Sequence, residues 1–242
     1  MTDGVKVIEY DVTGSTNADA KNYARSATDF ESVLFVAREQ TAGRGRLGRS
    51  FLSRADRGIY LSVLYFTDGA LADAVSVTTR AAVVVARAIE AVTGREMKIK
   101  WVNDIYNDRG KVAGILAESL SLGQRTAVIV GVGINIGEDD FPPEIENIAA
   151  SIGKISEDER RELIRLVASG LLFASDADYM GDYRKRFMYQ GERVELFSAG
   201  ESIGVGKALG VDDDGGLIFL PDGEGSCVVI RSGEISVRET EK

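Results

Sequence analysis

The segment from Gln40 to Phe51, QTAGRGRLGRSF, carries three glycines and three arginines, and these residue types suit the binding of an anion. Glycine leaves backbone N–H groups accessible, and planar guanidinium groups match the oxygens of carboxylates and phosphates. The arginines are Arg44, Arg46 and Arg49. A solvated basic turn that pairs with surface acids has the same composition, so the segment alone leaves both interpretations open.

The same segment contains the G-x-G-x-x-G spacing, from Gly43 to Gly48, that opens a helix in dinucleotide-binding folds. Asp68 follows the next predicted strand about 20 residues later, as that fingerprint asks. The helix is missing, because only RSFLSRADR separates the glycines from a strand that begins at Gly58. A parallel crossover needs a longer connection. We therefore predict a loop that joins two strands.

A second polar cluster follows in KWVNDIYNDRGK, where Lys100, Asn103, Asp104 and Lys111 surround a predicted turn between two strands that look buried. Sheet proteins often collect functional groups in such turns. Each residue also has an ordinary structural explanation, since Asn and Asp form turns and most lysines keep their ammonium group in solvent. Trp101 is expected in the core.

Composition limits the chemistry that these side chains can perform. The 242 residues include no histidine and one cysteine, Cys227. This excludes Ser-His-Asp triads, His-ligated zinc, a disulfide framework and a thiolate metal site. The formal net charge of −9 argues against nucleic acid as the main partner, so we expect no DNA binding. The remaining catalytic groups are Lys, Arg, Asp, Asn and the backbone.

No segment of the sequence predicts a membrane or secretory role. MTDGVKVIEY lacks the basic run and apolar core of a signal peptide. The most apolar region, AVSVTTRAAVVVARAIEAV, is interrupted by Arg80, Arg87 and Glu90, which favours a buried helix over a membrane span. We expect a cytoplasmic protein with no membrane association.

Hydrophobic periodicity predicts strands and helices in turn along most of the chain. Gly170 and Gly181 are expected to interrupt the last helical region, and VNDIYNDRGK is predicted as a turn. The predicted strands are VKVIEYDV, SVLFVARE, GIYLSVLYF, EMKIKW, VAGILAESL and RTAVIVGVGINI, and the predicted helices are STNADAKNYARSA, residues 71–92 and EDERRELIRLVASGLLFASDADYMGDYRKRF.

The pattern changes beyond Tyr189. Short apolar runs then recur about every eight to twelve residues between Gly and Asp turns, as in a small all-β barrel or sandwich. We place a domain boundary near Gln190. This gives a larger domain over residues 1–189 and a small one over residues 190–242.

Several motifs, taken together and in this order, resemble those of biotin protein ligases. They extend over nearly the whole chain, which makes the resemblance far more specific than any single motif. They are STN at 15–17, GRGRLGR at 43–49, KWVND at 100–104, KVAGILAE at 111–118, VGVGINI at 130–136 and the tail GEISVRE. The resemblance implies an α+β fold. A mixed sheet packed with helices would form a catalytic domain like that of class II synthetases, followed by a small SH3-like β-barrel.

The resemblance also implies a reaction in two steps. Biotin and ATP form biotinyl-5′-AMP and pyrophosphate, and a lysine of a biotin carboxyl carrier protein then attacks the adenylate. Mg²⁺ is the implied metal, since a hard cation prefers oxygen ligands. Joining two anions mainly requires positioning and charge neutralisation, which Lys and Arg provide without histidine.

Residue roles follow from the matching motif positions. The implied catalytic residues are Lys111, Arg46 and Asp104, and Asp104 is also the candidate Mg²⁺ ligand and the candidate to assist loss of the acceptor lysine's proton. Biotin would be bound by Ser15, Thr16, Asn17, Gln40, Gly43, Arg44 and Lys111. ATP would be bound by Arg46, Arg49, Phe51, Asn103, Asp104 and Asn135. The glycine-rich loop is expected to be mobile in the empty enzyme and ordered over its ligands.

This chain departs from the family pattern at two motif positions. Phe51 stands where tryptophan is usual, which keeps a smaller aromatic face for adenine, and Val102 stands where proline is usual. Repressor members also carry an N-terminal helix-turn-helix domain, whereas this sequence starts at the first strand of the catalytic domain, so a DNA-binding role is not implied.

Two other functions stay open beside biotin ligation. A lipoate-type or other carboxylate-adenylating ligase would share the fold and the adenylation chemistry, although we would expect a histidine-containing motif in a lipoate ligase. A non-catalytic biotin or nucleotide binder would not need the charges on the pyrophosphate side. The sequence also leaves open the identity of the carrier and whether the chain forms a homodimer.

Overall fold

The structure is a computed structural model, and it describes residues 5–69, 74–173, 179–198, 201–231 and 235–239. Its larger sheet has seven strands: β1 (Lys6–Thr13), β2 (Val33–Gln40), β3 (Gly58–Asp68), β4 (Lys98–Lys100), β5 (Asp104–Tyr106), β6 (Lys111–Leu122) and β7 (Arg125–Asn135). Their spatial order is β1-β2-β3-β7-β6-β5-β4. The first two strands pair in parallel and all other neighbours are antiparallel. The predicted mixed sheet is therefore confirmed.

Helices cover both faces of this sheet: α1 (Thr16–Ser26), α2 (Ala74–Thr93), α3 (Glu157–Phe173) and α4 (Tyr179–Arg186). The first helix crosses between parallel β1 and β2, and its buried Ala20 and Ala24 lie one turn apart, so both face the sheet. Strand β2 divides its side chains between the two layers. Phe35 packs with α1, whereas Leu34 belongs to the larger core on the side of α2.

The second helix supplies much of the larger core. Ala81, Val85 and Ile89 recur every four residues on one face and are fully buried. Burial of such aliphatic side chains stabilises the fold by roughly 1.5–3 kcal/mol for each large residue. Among the described residues no helix is long and apolar enough to cross a membrane.

Two details of the predicted elements are wrong. The predicted turn after Trp101 contains strand β5, because Ile105 is fully buried between the neighbouring strands. Helix α3 continues through Gly170, where a Cβ atom would lie 2.5 Å from Cγ1 of Val84 on α2, so this glycine permits close helix packing instead of a break. Gly181 likewise lies inside α4. Residues 174–178, between these helices, lie outside the described residues.

The C-terminal part forms a five-stranded antiparallel sheet of β8 (Arg193–Ser198), β9 (Glu201–Val211), β10 (Leu217–Pro221), β11 (Val228–Ile230) and β12 (Ile235–Glu239). The spatial order is β11-β10-β9-β8-β12. The predicted small all-β domain is confirmed, and in the residues that the structure describes its sheet is not closed into a barrel, because β11 and β12 form the two edges and no pairing joins them. The first of these edge strands has only three residues, which limits the pairing it can offer.

The two sheets are in direct contact. The indole Nε1 of Trp101 donates a hydrogen bond to the carbonyl of Gly215, at 2.9 Å. Val194, Leu196 and Phe219 of the smaller sheet are buried in the same core as α2. The smaller sheet therefore packs beside the turn that precedes β5.

Candidate active site

A cavity of about 570 Å³ opens where the β2–β3 loop, the start of α1, the turn before β5 and the adjoining strands β6 and β7 meet. It brings together eleven of the thirteen residues that the sequence predicts for the site. They are Ser15, Thr16, Asn17, Gln40, Arg44, Arg46, Arg49, Phe51, Asn103, Asp104 and Lys111. Residues distant in the chain are in contact here: Asn17 and Glu118, for example, are 101 positions apart.

The floor of the cavity is glycine backbone. Gly131 and Gly133 are two residues apart on β7 and therefore face the same side of the sheet, and Gly114 pairs with Gly133 from β6. A Cβ atom at Gly133 would lie 2.4 Å from Cε1 of Phe51, so the phenyl ring packs directly on the strand. The glycines thus make room for side chains that enter from the loop and from α1.

One end of the cavity is polar and uncharged. Oε1 of Gln40 accepts hydrogen bonds from the backbone N and the hydroxyl of Thr16, at 2.9 and 3.2 Å, and its Nε2 donates to Ser53 at 2.9 Å. Ser15 occupies the position that caps α1, but its side chain makes no capping hydrogen bond. Its hydroxyl is therefore not committed to the helix and is available to a ligand.

Buried partners behind this end were not predicted from the sequence. The hydroxyl of Ser62, fully buried on β3, lies 2.7 Å from Oγ1 of Thr16 and 2.6 Å from Oδ1 of Asn17. Nδ2 of Asn17 donates to Oε2 of Glu118 at 2.9 Å and to the carbonyl of Leu116 at 3.2 Å. A serine within an apolar strand gives a weak signal, but Glu118 ends the quoted KVAGILAE motif and could have been noticed.

The other end of the cavity is charged. Nζ of Lys111 lies 2.7 Å from Oδ1 of Asp104, and the same oxygen accepts a hydrogen bond from Nδ2 of Asn103 at 2.9 Å. Lys111 begins β6 and Asp104 begins the adjacent β5. Asp104 pairs with Gly114, where a Cβ atom would lie 3.3 Å from the lysine Nζ, so the missing side chain leaves the ammonium room to reach the carboxylate.

The predicted loop between β2 and β3 is confirmed, since these strands are antiparallel and the loop contains only a single 3₁₀ turn, Arg46–Gly48. This turn directs the guanidinium of Arg46 to Asn103, whose Oδ1 accepts from Nη1 at 2.7 Å. The other terminal nitrogen, Nη2, is buried without a hydrogen-bond partner. Burial lowers the pKa of Arg46, and the negative charge of Asp104 opposes that shift. A buried donor of this kind is suited to an incoming anion.

Gly43 and Asn135 do not line the cavity. A Cβ atom at Gly43 would lie 2.5 Å from the carbonyl oxygen of Phe51, so this residue allows the two sides of the loop to approach. The amide of Asn135 donates to the carbonyl of Ala150 at 3.0 Å and to that of Lys111 at 3.4 Å. It is buried at the end of β7 and contacts the backbone, not the side chain, of the lysine.

Lys100 also lines the cavity, with its ammonium 5.8 Å from the ring centres of Tyr106 and Tyr189. Asp104 is the one carboxylate among the described lining residues, and no group of three or more metal-ligating side chains occurs in the described part of the chain. A single carboxylate fits Mg²⁺, which commonly uses one or two carboxylates together with substrate phosphates and water. It does not fit a metal held by protein ligands alone.

Comparisons with known proteins agree with this geometry. The family model described as Biotin/lipoate A/B protein ligase family matches residues 10–135, and that of the Biotin protein ligase C terminal domain matches residues 189–238. The chain is 34% identical over 235 residues to a biotin–acetyl-CoA-carboxylase ligase of Mycobacterium tuberculosis, which covers 92% of this chain and 85% of that protein. It is 33% identical over 233 residues to the bifunctional ligase/repressor BirA of Bacillus spizizenii. That alignment covers 89% of this chain and 70% of BirA.

Solved structures show the same similarity. The biotin protein ligase from Aquifex aeolicus in complex with biotin and ATP matches with a TM-score of 0.79 and 26% sequence identity, covering 97% of this chain and 99% of that one. The chain belongs to the biotin/lipoate A/B protein ligase family.

Proposed function

We propose that this protein is an ATP-dependent ligase that activates biotin as biotinyl-5′-AMP and transfers the biotinyl group to a lysine of a biotin carboxyl carrier protein. The observation that carries the proposal is the composition of one cavity. An uncharged, hydrogen-bonded end lies beside a cluster of cations around Lys111, in a chain of this family. Such a cavity suits a substrate with a neutral polar ring at one end and a carboxylate at the other.

The uncharged end would bind the ureido ring, which has both donors and acceptors. Ser15 has a free hydroxyl, whereas Thr16 and Gln40 hold one another in place. Side chains that are already fixed lose little rotamer freedom when the ligand arrives. Arg44 lines the cavity from the β2–β3 loop and would meet the valeryl chain or its carboxylate.

In the first step, a carboxylate oxygen of biotin would form a bond with the α-phosphorus of ATP, and the bond from that phosphorus to the pyrophosphate oxygen would break. Lys111 and Arg46 would neutralise the charge that accumulates between the two anions. Arg49 would bind phosphate oxygens, and Asn103 would keep Arg46 in position through the 2.7 Å hydrogen bond. No proton transfer is needed in this step.

Mg²⁺ bound at Asp104 would supply further neutralisation of the triphosphate. The carboxylate would also serve the second step, in which the amine of the carrier lysine attacks the acyl carbon and AMP leaves. Oδ1 of Asp104 is already bound to Lys111 and Asn103. We propose that the other carboxylate oxygen accepts the proton of the attacking amine.

The test is incubation with biotin, Mg-ATP and a purified carrier domain, followed by intact mass. The gain of one biotinyl group on one carrier lysine supports the proposal. Lipoylation of a carrier without biotinylation would instead favour a lipoate-type ligase. Biotin binding without pyrophosphate release would identify a non-catalytic binder and contradict the proposal.

Phe51 is proposed as the platform for adenine. Its ring lies in the cavity against Gly133 and meets the ring of Tyr60 edge-on at 6.4 Å. We expect Phe51→Ala to weaken ATP binding by about 1–3 kcal/mol, because base–aromatic stacking is lost. Biotin binding in the absence of ATP should stay the same. Calorimetric titrations with each ligand measure this, and equal losses for both ligands would make Phe51 a packing residue only.

Gly131 of the glycine floor lies against the side chain of Asn17. A Cβ atom at Gly131 would lie 2.1 Å from Oδ1 of Asn17, which is held by three hydrogen bonds. We expect Gly131→Ala to displace Asn17 and raise the KM for biotin roughly tenfold, the effect of losing about one hydrogen bond to the ligand. Gly225→Ala is the matched control, since a Cβ there meets nothing within 4 Å. An unchanged KM in Gly131→Ala would mean that the amide of Asn17 does not contribute.

A further inference from the structure

The side chain of Glu118, which ends the KVAGILAE motif on β6, is not explained by the reaction above. It lies behind the uncharged end of the cavity and contacts two residues of α1. Oε2 accepts a hydrogen bond from Nδ2 of Asn17 at 2.9 Å, and Oε1 forms an ion pair with Lys21. Both charged side chains are about three-quarters buried, with exposed fractions of 25% for Lys21 and 24% for Glu118. Burial of a carboxylate costs free energy unless its oxygens have partners, so the position of Glu118 indicates that these contacts have a role.

The contacts of Asn17 define which way its amide points. Both N–H groups of Nδ2 are used, one by Glu118 and one by the carbonyl of Leu116 at 3.2 Å. Oδ1 accepts from the hydroxyl of Ser62 at 2.6 Å. The reversed amide would place its oxygen against a carboxylate and a carbonyl, neither of which can donate. Glu118 and the carbonyl of Leu116 together therefore exclude the reversed orientation, and Glu118 provides the shorter, charge-assisted contact of the two.

The orientation of the Asn17 amide determines which hydrogen bonds it can offer to a ligand. An amide oxygen can accept two hydrogen bonds, and Ser62 supplies one. Since both donors of Asn17 are already committed, this side chain can meet a ligand in the cavity as an acceptor only. An acceptor here would select a ring that carries an N–H group.

We propose that Glu118, held by Lys21, is a positioning residue that fixes Asn17 as a hydrogen-bond acceptor for a ureido N–H of biotin. The inference rests on the proposed function. Glu118 acts through Asn17 and does not touch the substrate. The ion pair serves to keep the carboxylate on Asn17, because Lys21 satisfies its other oxygen.

The experiment measures steady-state pyrophosphate release with biotin and with ATP varied in turn. Glu118→Ala should raise the KM for biotin about tenfold and leave the KM for ATP unchanged, because only the biotin end loses a defined hydrogen-bonding group. Glu118→Leu, which keeps the bulk of the side chain on β6, should behave in the same way if the alanine variant folds poorly. Glu118→Gln should restore most of the affinity, because its amide oxygen can still accept from Asn17.

A double-mutant cycle separates positioning from a general structural effect. If Glu118 acts through Asn17, Glu118→Ala should add nothing in an Asn17→Ala background. Arg25→Met is the matched control, since it removes one positive charge from the same helix at an exposed residue that bonds only locally to Asn22. It should keep the wild-type KM values.

The outcomes are distinct. A wild-type enzyme without biotin-dependent pyrophosphate release would overturn the proposed function, and this inference with it. With an active wild type, three results would overturn the inference alone. These are an unchanged KM for biotin in Glu118→Ala, a full effect of that change in the Asn17→Ala background, or a Glu118→Gln variant as impaired as Glu118→Ala.

Discussion

The Lys111→Ala variant is expected to lose adenylate formation by about 10²–10³-fold, the usual effect of removing a group that stabilises transition-state charge. Lys111 begins β6 and its Nζ lies 2.7 Å from Asp104 in the charged end of the cavity. In the proposed reaction two anions meet at this position, and the chain has no histidine that could supply positive charge in place of Lys111. The measurement is biotin-dependent pyrophosphate release in a single turnover.

The fold should survive this change. The backbone contacts of Lys111 do not depend on its side chain: its N–H donates to the carbonyl of Ile148 and its carbonyl accepts from Ala150, both at 2.8 Å. The change removes only the ion pair between Nζ and Asp104. Unfolding followed by circular dichroism should therefore show a cooperative transition. Lys154→Ala is the matched control, because Lys154 forms an exposed ion pair with Glu138, neither residue lines the cavity, and this variant should remain fully active. Near wild-type pyrophosphate release from Lys111→Ala would refute the assigned role.

The sequence predicted those parts of the site that depend on local signals. Turn-forming and glycine-rich segments mark the loop after β2 and the turn before β5, and both line the cavity. Ser15, Thr16 and Asn17 open the predicted helix STNADAKNYARSA, and in the structure α1 begins at Thr16. The domain boundary near Gln190 and the roles of the individual residues stay predictions.

Features that depend on pairing between distant segments were missed. Ser62 looks like an ordinary strand residue, and the KVAGILAE motif that ends at Glu118 does not reveal its partner. Strands β3 and β6 bring both side chains to Asn17. The glycine floor of the cavity could not be predicted either, because it depends on the strand register that pairs Gly114 of β6 with Gly133 of β7. The sequence predicts a helix break at Gly170 because sequence alone does not show that Val84 packs against this residue. Glycine marks close approach as readily as it marks a turn, and only tertiary contacts distinguish the two.

If Arg46 binds an anion as proposed, function opposes stability at this residue. Its Nη2 is buried without a partner, and an unpaired buried donor costs about 1–3 kcal/mol. Substitution by methionine, which keeps the length of the side chain and removes the guanidinium, should therefore leave the empty protein at least as stable as the wild type. The free energy of unfolding in urea without ligands measures this. A loss of more than about 2 kcal/mol would show that the hydrogen bond to Asn103 dominates.

The same guanidinium should hold the reaction intermediate. A charge-assisted hydrogen bond from Arg46 to the bound adenylate contributes roughly 1.5–3 kcal/mol, so Arg46→Gly is expected to speed adenylate release about ten- to a hundredfold. Asn103 would lose its 2.7 Å contact at the same time, which loosens the charged end further. Dissociation of preformed biotinyl-5′-AMP, measured by stopped-flow, gives the off-rate directly.

Early release has a chemical consequence, because free biotinyl-5′-AMP acylates any exposed amine. We expect Arg46→Gly to label a bystander such as albumin in a mixture with the carrier domain, whereas the wild type labels the carrier alone, as read on a streptavidin blot. Arg25→Gly is a useful control, since it removes an exposed arginine outside the cavity and should keep wild-type selectivity. If Arg46→Gly kept both the selectivity and the off-rate of the wild type, its guanidinium would not contact the intermediate. In that case the unpaired Nη2 would destabilise the fold without contributing to the affinity for the intermediate.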